Sequence, residues 1–247
     1  MSEHMEQVHP LLGLERLMVV CRKNDIPMDL QPPPRAPPKA GELVCGLPLD
    51  PVLAAIYTRS RRMVFEGELD GFFLHRANDS RDLIEVNEDR PEHWPEAFRT
   101  SLFFFGGEPA LAYYYATVPR LADEQRVQPV VWVDTYEDLY ALPLASSVDR
   151  FFDTYSHSLE RQVELIREDA EFKARLEAEF GPPAPDSLRA LWSKDIPRIN
   201  FPWEVPDLIA RDEPLVRLLR AGRFDFLMEG CEDAHKWVGK VLAAAST

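Results

Sequence analysis

Cysteine is scarce in this chain, with only Cys21, Cys45 and Cys231 among 247 residues and no CxxC pair. That excludes a disulfide scaffold and a cysteine-rich zinc centre as organising principles. Lysine is missing altogether between residues 40 and 172. Basic charge is in deficit overall, 28 Lys and Arg against 42 Asp and Glu, for a formal charge of −14. A phosphate-backbone binder needs clustered cations to displace counterions, so nucleic acid is not an expected partner. No apolar run approaches the ~18 residues a membrane span needs, and membrane partners are not expected either. The apolar stretch 11–21 is broken by Glu15 and Arg16, which suits an amphipathic helix better than a signal segment; cytoplasm is the expected compartment.

Catalytic signatures are missing too. The chain has no HExxH, HxH, GxSxG, Walker loop or GxGxxG, and its six histidines are scattered in sequence. His157 falls inside a helical stretch and is expected as an ordinary helix residue, and Cys45 and Cys231 as small buried hydrophobes. Pairs such as Glu85 with Glu88, or Asp134 with Asp138, lack neighbouring positions that complete a metal ligand set. No catalysis, cofactor or metal is therefore expected.

What is present is a substantial apolar fraction, 45% hydrophobic and 11% aromatic, enough for a real core. Leu11, Leu14, Leu17 and Met18 give a helix over 10–23. Residues 31–39 hold five of the 22 prolines and read as a stiff extended tether. Asp50 followed by Pro51 is an N-cap and first-turn pair, opening a helix expected to run to about Arg62. Strands are expected over 71–75 and 83–86. The aromatic runs in 101–117 make a hairpin, with Gly106 and Gly107 supplying the positive φ of its turn. Strands over 130–134 and 139–142 follow, joined by a turn at 135–138. The sheet is thus expected to be mostly antiparallel and sequentially connected.

From Ser147 a long helix carries an apolar stripe from Val148 to Phe180 and ends at Gly181-Pro182. Beyond it, Leu215, Leu218 and Leu219, then Trp237, Val238, Val241 and Leu242, mark a helical C-terminal extension. That extension is expected to pack on the core, and Leu218, Leu219, Trp237 and Leu242 could form a dimer face. The chain divides into an N-terminal helix and tether (1–45), an α+β core (46–168) and the extension (169–247).

Charge is concentrated in the core segment, where 12 arginines meet 22 carboxylates. Two acidic groups stand out: Asp82, Glu85, Glu88 and Asp89, and the turn residues Asp134, Glu137 and Asp138. Fields of this kind steer basic partners, and Trp94 is a candidate aromatic anchor beside them.

The order of these elements carries a family likeness. Leu47-Pro48-Leu49-Asp50 opening a helix, the aromatic strand 102–107 ending in Gly-Gly, the strand pair around Asp134, and 145–152 (Ala-Ser-Ser-Val-Asp-Arg-Phe-Phe) opening a long helix resemble the SUKH superfamily over residues 46–165. That family includes the yeast cell-wall-assembly regulator and many bacterial immunity proteins. The resemblance implies an α+β fold whose central, mostly antiparallel curved sheet is flanked by helices. It also implies a non-catalytic role: immunity by binding a cognate toxin or effector, a basic nuclease among them, over a sheet-side groove. A regulator or scaffold of the same fold that binds host proteins is the alternative, and an enzyme of unrecognised class a further one.

Overall fold

The computed structural model describes residues 10–65, the backbone of 69–71, and residues 83–88, 90–108, 113–136, 139–182 and 195–246. The first helix, α1 (Leu12–Lys23), buries Leu14, Leu17, Val20 and Cys21, as its periodicity requires. The chain then forms β1 (Met28–Gln31), which the sequence pattern does not announce. Prolines from 32 onward lack the N–H donors of a ladder and end it.

A two-stranded ribbon, β2 (Leu43–Val44) with β3 (Leu47–Pro48), leads into α2 (Pro51–Tyr57). Asp50 caps α2 as expected: its Oδ1 accepts from Val52 N at 2.8 Å and Leu53 N at 3.0 Å. Its Oδ2 accepts from Gln128 N at 2.7 Å. Gln128 in turn donates to Pro48 O and accepts from Thr117 Oγ1, so one buried polar network ties α2 to the sheet. Helix α2 stops well short of Arg62, because β4 (Arg62–Phe65) pairs with β1. Ser60 Oγ fastens that junction, donating between Gln31 O and Arg62 O at 2.6 Å each.

From there the sheet is a meander: β5 (Leu69–Gly71), β6 (Phe103–Gly107), β7 (Tyr113–Thr117), β8 (Val130–Asp134) and β9 (Tyr140–Ala145). All neighbours are antiparallel, in the order β1-β4-β5-β6-β7-β8-β9. The expected hairpin is β6 with β7, but Gly106 and Gly107 are not its turn. They lie inside β6, opposite Tyr115 and Tyr114, just past a register shift at Phe104–Gly106. Glycine in a strand often accompanies such a bulge, which here carries the extra residue Phe105. Residues 72–75 of the strand expected at 71–75 lie outside the described residues.

The run at 83–86, expected as a strand, is helical in α3 (Leu83–Glu88). A four-residue apolar run does not distinguish strand from helix, and tertiary contacts decide. Here Asn87 Nδ2 donates to Leu83 O one turn back and to Phe104 O on β6, both at 2.8 Å, while Phe104 N donates to Asn87 Oδ1 at 2.9 Å. Helix α4 (Glu96–Ser101) then feeds β6.

Helix α5 (Val148–Phe180) is capped by Ser147 Oγ, which accepts from Arg150 N, and ends at Gly181 with φ of 73°. At 33 residues it is about 50 Å long. Only its first third is covered: Val148, Phe151, Phe152, Tyr155 and Leu159 are buried, whereas Ile166, Phe172 and Phe180 are exposed. The apolar stripe thus outruns the body that buries it. Helix α1 lies along α5, and Asp149 Oδ1 accepts from Gly13 N and Leu14 N, capping α1 from outside where Leu11 offers no side-chain acceptor.

Residues of α6 (Pro206–Ile209), α7 (Glu213–Arg220) and α8 (Glu232–Ala244) are buried in the same apolar cluster as the sheet. Asp212 joins the two parts, accepting from Ser146 N at 2.6 Å and Leu215 N at 3.2 Å. Trp237 is buried and donates to Pro202 O at 3.3 Å, and Leu219 is buried as well, so both face the chain's own core.

Two predictions follow from this packing. A Cβ added at Gly13 would lie 2.0 Å from Asp149 O, a backbone atom. Gly13→Ala should therefore destabilise by about 1–3 kcal/mol or more as an overpacking defect; an unshifted urea midpoint would refute that close approach. Burial raises the Asp50 pKa to about 6 against the opposing hydrogen bonds from Leu53, Gln128 and Val52. The unfolded carboxyl titrates near ~3.9, so Asp50's contribution to stability is full below that value and is lost as pH rises through 6. Between pH 7 and 5 the wild type should gain stability relative to Asp50→Asn, and paired urea titrations showing the reverse trend would contradict the assigned shift.

Candidate acidic edge

The side chains of β6 divide between the two faces of the sheet. Phe104 meets Tyr114 edge-on at 5.5 Å and Trp94 at 6.0 Å, on the face carrying α3 and α4. Phe105 meets Phe151 of α5 at 6.2 Å on the other face. Tyr115 also packs on Phe151, at 4.8 Å. Because Trp132 lies opposite Tyr115, and Asp134 opposite Tyr113, these residues belong to the α5 face.

On the first face, Arg90 governs the geometry. Its guanidinium donates to the carbonyls of Phe98 and Arg99, to Leu102 O at 2.5 Å and to Asn87 Oδ1 at 2.9 Å. It also lies 5.3 Å from the centroid of the Phe104 ring. Burial lowers its pKa to about 10, which leaves it charged at neutral pH. This arginine is turned inward, gathering the end of α4 and the start of β6 beneath α3. Among the described residues it forms no ion pair with a carboxylate. Glu88, Glu92 and Glu96 are exposed, and none has an ion-pair partner among the described residues. Glu85 is exposed on the same helix. Trp94 is half-buried against Phe104, and its carbonyl accepts from Arg99 Nε at 3.0 Å. Asp82 and Asp89 lie outside the described residues.

The second predicted acidic group sits elsewhere. Asp134 ends β8 on the α5 face, where Oδ1 accepts from Tyr136 N at 2.8 Å and Oδ2 from Tyr140 OH at 3.3 Å. Desolvation first, then the Asp134 charge, push the Tyr140 phenol up, so it stays a protonated donor. Glu137 and Asp138 lie outside the described residues. The structure thus brings Glu85, Glu88 and Trp94 together at one edge and leaves Asp134 at the end of a strand on the opposite face.

Around Asp134 is an aromatic group drawn from β7, β8, β9 and the segment before α6. Tyr113 stacks on Trp132 at 4.9 Å, and Trp203 meets Trp132 and Tyr140 edge-on at 6.2 and 6.3 Å. Glu108 Oε1 accepts from Trp132 Nε1 at 2.9 Å and Tyr115 OH at 3.2 Å. Glu108 and Asp134 therefore satisfy the polar tips of buried aromatics, a role no charge count reveals. Glu92 and Glu96, exposed beside Glu88, are members of the acidic edge that a count of local charge does find.

Among the described residues, no group of three or more His, Cys, Asp or Glu is placed to hold a metal ion. No described helix is long and apolar enough to cross a membrane. Cys21 is buried, and desolvation pushes its thiol up to about 11, so it is not a thiolate at neutral pH. The chain matches no protein-family model, no curated protein and no solved structure.

The Arg90 arrangement predicts its own failure mode. Arg90→Met removes charge-assisted bonds from several carbonyls and should cost about 2–4 kcal/mol, since such bonds contribute ~1.5–3 kcal/mol each. Arg90→Lys should recover little, because an ammonium does not span the guanidinium fork. Equal chemical-denaturation midpoints for all three proteins would show that Arg90 does not hold this edge together.

Proposed function

We propose that the chain is a non-catalytic binder of a cationic protein surface, which it engages through the edge formed by Glu85, Glu88, Glu92 and Glu96. One observation carries this reading: Glu88, Glu92 and Glu96 are exposed and have no ion-pair partner among the described residues, while the guanidinium of Arg90 is bound to backbone carbonyls. A cation paired with these carboxylates would quench the field; one bound to backbone carbonyls forms no such pair. Trp94, half-buried beside them, offers a rigid aromatic border, and Asp82 and Asp89 extend the acidic run in sequence.

The SUKH likeness of residues 46–165 narrows the partner class. It supports an immunity protein that neutralises a cognate toxin or effector by covering its active surface, with complementary charge speeding capture. A regulator binding host proteins is the alternative reading of the same likeness.

Co-expression with the products of reading frames adjacent to its gene tests this, scoring rescue from toxicity. Rescue by the wild type is the expected result; with a captured partner, the triple variant Glu88→Lys, Glu92→Lys, Glu96→Lys should slow association at low salt by about tenfold to a thousandfold and flatten its salt dependence. These side chains are exposed, so the thermal melt should barely move. Unchanged association would remove the acidic edge as the contact, and absence of any rescuing pair would remove the immunity role.

A further inference from the structure

In a chain with so large a negative charge, one concave surface is cationic. A groove of about 270 Å³ opens between the end of α1, the middle of α5 and the segment from α6 to Arg211. Its walls carry Lys23, His157, Arg161, Glu164, Arg167 and Arg211. Several charges near it are already satisfied. Arg161 clamps Asp207 through both terminal nitrogens, and Arg16 donates to Glu160 at 2.8 Å. Arg167 donates to Asn24 Oδ1 at 2.9 Å, a neutral partner that fixes its position without cancelling its charge. The side chains of Lys23 and Arg211 make no hydrogen bond or ion pair among the described residues. The unneutralised cations are thus Lys23, Arg167 and Arg211, against the single unpaired carboxylate of Glu164, a surplus of two positive charges.

His157 adds an imidazole. Its Nδ1 lies 3.3 Å from Arg16 Nη2 and 3.4 Å from Glu160 Oε2, so it accepts from the guanidinium in one tautomer and donates to the carboxylate in the other. Desolvation, then the charge of Arg16, lower the His157 pKa, opposed by Asp153 and Glu160 and reinforced by Arg211. The groove is therefore lined by cations from three separate elements, with the carboxylates of Glu160 and Glu164 on α5 among them.

We infer that this groove is a binding site for a phosphate dianion, free or as a small monoester, held by Lys23, Arg167 and Arg211. The charge surplus matches a doubly charged group, and a volume of about 270 Å³, below the usual ~300–1,000 Å³ of drug-sized sites, suits a ligand as small as phosphate. Guanidinium groups recognise phosphate oxygens through paired N–H donors, and Lys23 supplies a further point charge. This site lies apart from the acidic edge and stands or falls independently of it.

Titration of the full chain with inorganic phosphate, and separately with glycerol phosphate, tests the inference by calorimetry and by the NMR signals of the His157 ring, with sodium chloride matched for ionic strength. Saturable binding and His157 shifts are expected with the phosphates and not with chloride; the tighter of the two ligands identifies free anion or ester. Lys23→Gln with Arg211→Gln should weaken binding at least tenfold, and Glu164→Gln should tighten it several-fold, all at exposed positions that leave the melt unchanged. Shifts no larger than those from chloride, or equal affinity in the two variants, would overturn the site.

Discussion

The constraint on which the rest depends is that the central strands are buried on both faces. All five residues of β6 are buried, and so are all six of β9. Neither face of these strands meets water, so helices must cover both, and each covering layer must be tied down. Apolar contact supplies the driving force without fixing orientation. The buried polar residues provide the orientation: Asn87 ties α3 to β6, Asp50 and Gln128 tie α2 to the sheet, and Asp212 ties the extension to the junction of β9 and α5.

Those ties also explain where charge is free and where it is not. Asp50, Asp149, Asp212, Glu108 and Asp134 each accept from groups inside the fold, so these carboxylates are structural. Arg90 works in the same way with the opposite sign, its charge directed at helix-end carbonyls. Once these are set aside, Glu88, Glu92 and Glu96 at the edge of α3 and α4 have no ion-pair partner among the described residues, and neither do the side chains of Lys23 and Arg211 in the groove between α1 and α5. An acidic edge and a cationic groove are thus separate products of one packing arrangement. The outer half of α5 remains the least covered element, its Phe172 and Phe180 facing solvent.

Much of the fold was legible in local pattern. The helix caps at Asp50 and Ser147, the stop at Gly181, the hairpin of aromatic strands and the pair β8 and β9 all follow from rules that act over a few residues. The errors occurred where distant contacts decide. Leu83 to Val86 became helix because Asn87 is held by Phe104, and Gly106 and Gly107 entered the strand because the bulge at Phe105 shifts the register. Strand β1 was hidden because its four residues gain strand structure only by pairing with β4, thirty residues on. For the site, charge density indicated Glu85 and Glu88 correctly as surface groups, but it had no means of showing that Asp134 lies on the opposite sheet face.

The sequence by itself determined the acidic balance, the caps, the strand alternation and the long helix, because each depends on the chemistry of neighbouring residues. Only the tertiary structure decided which carboxylates remain available. That outcome depends on which donors the fold brings within about 3 Å, and among them are donors 66 and 136 positions away, Ser146 for Asp212 and Gly13 for Asp149.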